Sequence, residues 1–198
     1  VRGMERADSV TLDLHKWPHV PFEAACVLVR DRKAHREAFA LTPEYLEKTE
    51  RGLASGALWF SEYGLQLSRG FRALKVWLSI KEHGLDRFGR LIDRNIAQAH
   101  ELAALVQAEP DLELLAPVAT NIVCFRYNPG GLGDGQLNAL NEELLIRLHE
   151  SGIAAPSYTT LDGRYCLRAA IVNFRTTSAD LPVLVRAVRE IGASLPRP

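Results

Sequence analysis

One lysine stands between a histidine and a tryptophan in the run Ala7-Asp8-Ser9-Val10-Thr11-Leu12-Asp13-Leu14-His15-Lys16-Trp17. Val10, Leu12 and Leu14 alternate with Thr11 and Asp13, the period-two signature of a strand. Such a strand would deliver an imidazole and an amine side by side to its end, at the rim of a pocket. A lysine kept partly desolvated there is an amine nucleophile of the kind that forms Schiff bases with carbonyl compounds. Taken alone, the spacing also fits the commoner fate of a lysine at a strand end, a solvated charge.

Other side chains offer chemistry of their own. Tyr45, in Thr42-Pro43-Glu44-Tyr45-Leu46, is a phenol in or beside a polar stretch over 45–58 that has no clear periodicity. That stretch reads as an exposed loop, in which a tyrosine is either a proton donor or a surface anchor. Arg69 and Arg72 stand near the start of a helix, where a guanidinium fork suits carboxylates and phosphates and a plain salt bridge is the alternative. Phe22, Trp59, Phe60 and Tyr63 read as packing or as the wall of an apolar pocket. Asn173, Arg175 and Thr176 read as a turn and helix start. His19, His35, His83, His100 and His149 lack metal-ligand spacing, so no metal is expected. Cys26, Cys124 and Cys166 lie far apart in apolar segments and read as buried small hydrophobes in a reducing cytoplasm.

The elements that must position these groups follow from periodicity. Strands are expected near Val10–Leu14 and Ala24–Val29, then a helix over His35–Ala40. Apolar residues at helical spacing predict a helix over Leu65–His83, closed by Gly84, with its apolar face in a core. A long helix over Asp86–Gln107 is expected to link two domains. Beyond it, strands over Leu112–Leu115 and Ile122–Arg126 lead to the turn Asn128-Pro129-Gly130-Gly131. Asp134 is the expected cap of a helix over Gly135–Ser151, with Gly152 past its end. Strands are expected at Ile153–Pro156 and Tyr165–Val172, around the turn Leu161-Asp162-Gly163. Ser178 is the expected cap of a last helix over Ala179–Leu195. The chain has 198 residues, formal net charge +0 and 47% hydrophobic content, so nothing electrostatic points to nucleic acid or an anionic membrane. No apolar run approaches the ~20 residues of a membrane span.

The string Ala7-Asp8-Ser9, then Asp13-x-His15-Lys16-Trp17, then Val20-Pro21-Phe22-Glu23-Ala24-Ala25-Cys26, resembles the cofactor-lysine segment of the group II pyridoxal-phosphate-dependent amino-acid decarboxylases, which include the aromatic-L-amino-acid, histidine and glutamate decarboxylases. Ser68-Arg69-Gly70-Phe71-Arg72-Ala73-Leu74-Lys75-Val76-Trp77 resembles the same family's arginine-rich helix start. The resemblance implies an α/β protein of PLP-dependent transferase fold type I. Residues 1–84 would form the C-terminal part of the large cofactor-binding domain, and 85–198 the linking helix and a small C-terminal α+β domain. Because the chain starts at Val1 close to the motif, the resemblance implies the C-terminal portion of a longer enzyme, inactive in isolation.

By the same resemblance Lys16 joins pyridoxal 5'-phosphate, His15 lies near its phosphate, and Asp13 contacts the phosphate or holds His15 or a backbone amide. Tyr45 falls on the family's mobile loop, where it would protonate the α-carbon, in some relatives across a homodimer boundary. Arg72 is expected at the active site or subunit interface. The implied reaction is decarboxylation of an L-amino acid to an amine and carbon dioxide in the cytoplasm. Transamination, aldehyde formation and a non-catalytic fragment without cofactor are the alternatives.

Overall fold

The structure is a computed structural model that describes residues 2–40, 49–52, 55–56 and 59–196. It falls into two compact units, Val1–Gly84 and Leu85–Pro198.

In the first unit, β1 (Ser9–Asp13) and β2 (Ala25–Val29) form an antiparallel pair, in register from Ser9 opposite Val29 to Asp13 opposite Ala25. The loop between them carries the lysine and folds back on itself. Val20 N–H donates to Leu14 O at 3.0 Å and His15 N–H to Ala24 O at 3.0 Å, and Val20 and Ala24 are the loop's buried residues. Helix α1 (Arg32–Phe39) starts three residues before its expected first residue, His35. Asp31 caps it by accepting from the Lys33 and Ala34 N–H groups, a stronger start signal than the later apolar spacing. The Arg36 guanidinium donates to both oxygens of the buried Glu62 carboxylate at 2.8 and 2.9 Å, which ties α1 to a 3-10 turn at Phe60–Tyr63. Beside that pair, Arg32 Nε donates to the Tyr63 hydroxyl at 3.0 Å.

Helix α2 spans Arg72–His83 rather than starting at Leu65. Two features delay it: Gly70 is a poor helix former, and Arg69 donates to Phe60 O and Gln66 O, fixing the preceding stretch as irregular chain. Within this chain the described residues do not supply the core expected for its apolar face. No residue of α2 is buried, and Phe71, Leu74, Trp77 and Leu78 are exposed.

The second unit begins with α3 (Leu85–Ala108) and continues β3 (Leu112–Leu114), β4 (Ile122–Tyr127), α4 (Asp134–Ser151), β5 (Ser157–Leu161), β6 (Arg164–Ala170) and α5 (Asp180–Ser194). The sheet order is β3-β4-β6-β5, antiparallel throughout. Val123, Phe125 and Tyr127 of β4 and Leu167 and Ala169 of β6 alternate onto one face. There they meet Leu102 and Val106 of α3, Leu140, Leu144 and Leu148 of α4, and Leu181, Val185 and Val188 of α5. Each large apolar side chain fully buried in such a core contributes about 1.5–3 kcal/mol.

Local corrections have local causes. The strand expected at Ile153–Pro156 lies instead at Ser157–Leu161, just beyond the proline, where Tyr158, Thr159 and Thr160 favour extended chain. It turns into β6 through Asp162 and Gly163, both at positive φ (49° and 77°), the pattern of a tight two-residue hairpin. Gly133, not Asp134, precedes α4, and its N–H donates to Gln136 Oε1 at 3.1 Å. Ser178 does not cap α5, because its hydroxyl donates to Glu101 Oε2. Asp180 reaches back instead and accepts from Thr177 N–H at 2.8 Å. Cys26 is half-buried rather than buried. Cys124 and Cys166 lie in the interior, where burial and the neighbouring Cys124 push the Cys166 thiol up to about 11.

Candidate active site

The lysine turn is built from the end of β1 outward. Asp13 is the last residue of that strand, and Lys16 N–H donates to Asp13 O at 3.2 Å, closing one turn of chain. His19 N–H then donates to Lys16 O at 3.0 Å. Within this turn the Lys16 amine pairs with the Asp13 carboxylate, while the lysine side chain remains 69% exposed. The bond from Lys16 dominates Asp13 and, with its charge, holds that carboxyl below the usual carboxylate range. Asp13 thus contacts Lys16, and the His15 ring is held by another group.

That group is the Ala24 backbone. His15 Nδ1 lies 2.8 Å from Ala24 O and 3.2 Å from Ala24 N, and the Phe22 ring meets the imidazole edge-on at 5.0 Å between centroids. These contacts fix the ring plane. Among the described residues no hydrogen bond occupies Nε2, so this nitrogen is the one available to a ligand.

His15 also lines an open cleft of about 670 Å³, together with Glu23, Phe60, Arg69, Phe71 and Arg72. Arg72 Nε donates to Glu23 Oε1 at 2.8 Å, and Nη2 contacts the same oxygen. Arg72 Nη1 reaches Gln66 Oε1 at 3.4 Å. The ion pair holds the Glu23 carboxyl below its ordinary range and joins the lysine loop to the start of α2. Arg69 lines the same cleft with its guanidinium spent on loop carbonyls. Tyr45 lies outside the described residues. Among those residues, no cluster of three or more His, Cys, Asp or Glu side chains could hold a metal ion.

The second unit carries an ion-pair cluster that sequence reasoning did not single out. Arg126 is almost wholly buried, with Nε donating to Glu113 Oε2 at 2.8 Å and Nη1 lying 2.9 Å from Asp134 Oδ1 as an ion pair off the ideal bond direction. Burial pushes the Glu113 carboxyl up, but bonds from Arg126 and Asn128 and the charge of Arg164 outweigh it and leave it lowered. An acidic residue on β3 near a basic one on β4 was the available signal, and it needed the strand register to be read. A second cleft, of about 480 Å³, brings Arg168 together with Asn173 and Thr176 amid apolar residues.

Residues 1–128 match the family model described as the pyridoxal-dependent decarboxylase conserved domain. This chain belongs to the pyridoxal-dependent decarboxylase family. It is 35% identical over 192 residues to an aromatic-L-amino-acid decarboxylase of Bacillus atrophaeus, covering 96% of this chain and 40% of that one. Against a phenylacetaldehyde synthase of Arabidopsis thaliana it is 32% identical, covering 86% of this chain and 35% of the other. A solved structure of Oryza sativa TDC with PLP and tryptamine superposes with a TM-score of 0.88 at 24% identity, over 97% of this chain and 40% of that one. The α/β class of PLP-dependent decarboxylases is thus the fold of this chain. The chain spans about 40% of the length of the first of these relatives.

Proposed function

We propose that the protein catalyses pyridoxal 5'-phosphate-dependent decarboxylation of an L-amino acid to an amine and carbon dioxide. The observation that carries this reading is an exposed lysine amine at the end of β1, next in sequence to a histidine whose ring is fixed at the edge of a cleft, in a chain of the pyridoxal-dependent decarboxylase family. Residues 1–84 are assigned to the end of the large cofactor-binding domain, and 85–198 to the linking helix and small C-terminal domain. The division of the chain at Gly84 supports this assignment.

The residues present fit the cofactor's two ends. An accessible amine suits an aldehyde, and an imidazole with Nε2 available suits a phosphate oxygen. Asp13 does not suit the phosphate, because a carboxylate would repel it, and Asp13 is already engaged by Lys16. When bound, pyridoxal phosphate supplies an electron sink for the bond broken at the α-carbon. Lys16 would hold the cofactor through its amine, His15 would donate to the phosphate, and Arg72 with Glu23 would keep the lysine loop against α2. Tyr45 would deliver a proton to the α-carbon after the carboxylate has left.

A homodimer is part of the proposal. Leu65, Phe22 and Phe71 are 93%, 82% and 76% exposed in the first unit, apolar surface that the rest of the full-length protein and a second copy would cover between them. We assign the protein to the cytoplasm, consistent with three cysteines that are all free thiols. No described helix is long and apolar enough to cross a membrane.

The assay is release of carbon dioxide and amine from a panel of L-amino acids by the protein at its full natural length with pyridoxal phosphate. Equal amounts of both products support the reading. Carbonyl product in place of amine supports aldehyde formation, the second reading, which the phenylacetaldehyde synthase relative favours. Absence of carbon dioxide from every amino acid contradicts both.

A further inference from the structure

We propose that Asp13 is a positioning residue for Lys16: its carboxylate holds the amine at the end of β1 whenever that amine carries no cofactor, and lets go when the amine is captured. The proposal deepens the reading of Lys16 as the cofactor lysine and rests on it.

Three observations converge. The Lys16 amine and the Asp13 carboxylate are in contact across one turn of chain. That turn is itself fixed, by Lys16 N–H on Asp13 O at its start and His19 N–H on Lys16 O at its end, so the two side chains leave the backbone side by side. Among the described residues Asp13 has no competing partner in the turn: His15, which could have claimed it, is held by the Ala24 backbone. Among the described residues, the charged or titratable groups acting on Asp13 are Lys16 and His15, both on its own segment, with Lys16 dominant.

The chemistry gives the contact a consequence. A free lysine at neutral pH is an ammonium with a long flexible stem, and a partner at the strand end narrows the positions it samples. To act as a nucleophile the ammonium must lose one proton, which passes to water while Asp13 stays a carboxylate. The ion pair is broken in the same event. Asp13 therefore keeps the amine in place, and the contact must open before the amine reacts. Since the pair is exposed, both effects are modest and sensitive to salt.

The test uses the protein at its full natural length, stripped of cofactor, and competitive acetylation of its lysines with acetic anhydride at low salt. Labelling of the Lys16 peptide is read against the Lys75 peptide in the same digest, and circular dichroism checks that each variant is folded. Asp13→Asn is expected to speed Lys16 labelling roughly two- to fivefold, the size of one exposed ion pair. Asp13→Glu should restore the wild-type rate, and about 1 M salt, where the screening length falls to about 3 Å, should erase the difference. Equal Lys16 labelling in wild type and Asp13→Asn at low salt overturns the proposal. Labelling is measured without cofactor, so it gives this answer even if Lys16 proves not to be the cofactor lysine.

Discussion

The Asn141 carboxamide grips the backbone of Tyr127 from both sides: its Oδ1 accepts from Tyr127 N–H and its Nδ2 donates to Tyr127 O, each at 2.8 Å. Tyr127 lies two residues past the last β4–β6 pair, Phe125 opposite Leu167, so a side chain of α4 takes the place of β6 where its pairing with β4 stops, although β6 itself runs on to Arg164. A third bond, from Nδ2 to Leu137 O, satisfies the buried amide itself. Asn141→Leu keeps the volume but leaves both Tyr127 groups short of these partners. The expected loss is about 2–5 kcal/mol, read as a lower urea midpoint with an unchanged slope.

Gly192 in α5 faces the same tyrosine from its ring side. A Cβ built on Gly192 would lie 2.6 Å from Tyr127 Cδ1, closer than any real contact. Alanine in a helix interior gains about 1 kcal/mol over glycine, but overpacking against a buried ring costs about 1–3 kcal/mol. Gly192→Ala should therefore lower the thermal midpoint despite its better helix propensity. Pairing it with Tyr127→Leu should give a combined loss smaller than the sum of the two single losses.

Glu113 makes stability depend on acid. Its carboxyl is lowered from 4.5 in the folded protein, so the stabilisation is present above about pH 4.5 and is lost as pH falls through the lowered folded value. Below pH 4.5, wild type should lose stability more steeply than Glu113→Gln, and the two curves should converge at the acid end. Denaturant unfolding at a series of pH values measures this directly.

The second unit was largely legible in the sequence because its periodicities are strong. Leu137, Leu140, Leu144 and Leu148 recur at helical spacing, and Val123, Phe125 and Tyr127 at strand spacing, so α4 and β4 followed from pattern alone. Errors fell where single side chains decide: Gln136 at the start of α4, Asp180 reaching back before α5, and Pro156 displacing β5. In the first unit the lysine turn was legible as a motif, but the partners of its side chains were not. That Asp13 meets Lys16 while His15 meets Ala24 depends on how one loop closes, and periodicity carries no record of it. The apolar stripe of α2 showed the opposite failure: the pattern predicted burial, and the described residues of its own unit do not supply it.

A variant at Tyr45, the proposed proton donor, tests which of the two proposed reactions the protein performs. In the protein at its full natural length, Tyr45→Phe removes the proposed proton donor, so amine formation should fall by about 10²–10⁴-fold, the range typical of general-acid catalysis. Pyridoxal phosphate binding should be retained. Amine formation at the wild-type rate would remove Tyr45 from the mechanism, and a shift to carbonyl product would show that its proton decides between the outcomes.

Reductive trapping tests the central claim most directly. The full-length protein is loaded with pyridoxal phosphate, reduced with borohydride and digested, and the modified peptide is identified by mass spectrometry. The label is expected on the peptide that contains Lys16, and Lys16→Ala should abolish it. A label on another lysine, with Lys16→Ala still trapping cofactor, would contradict the account.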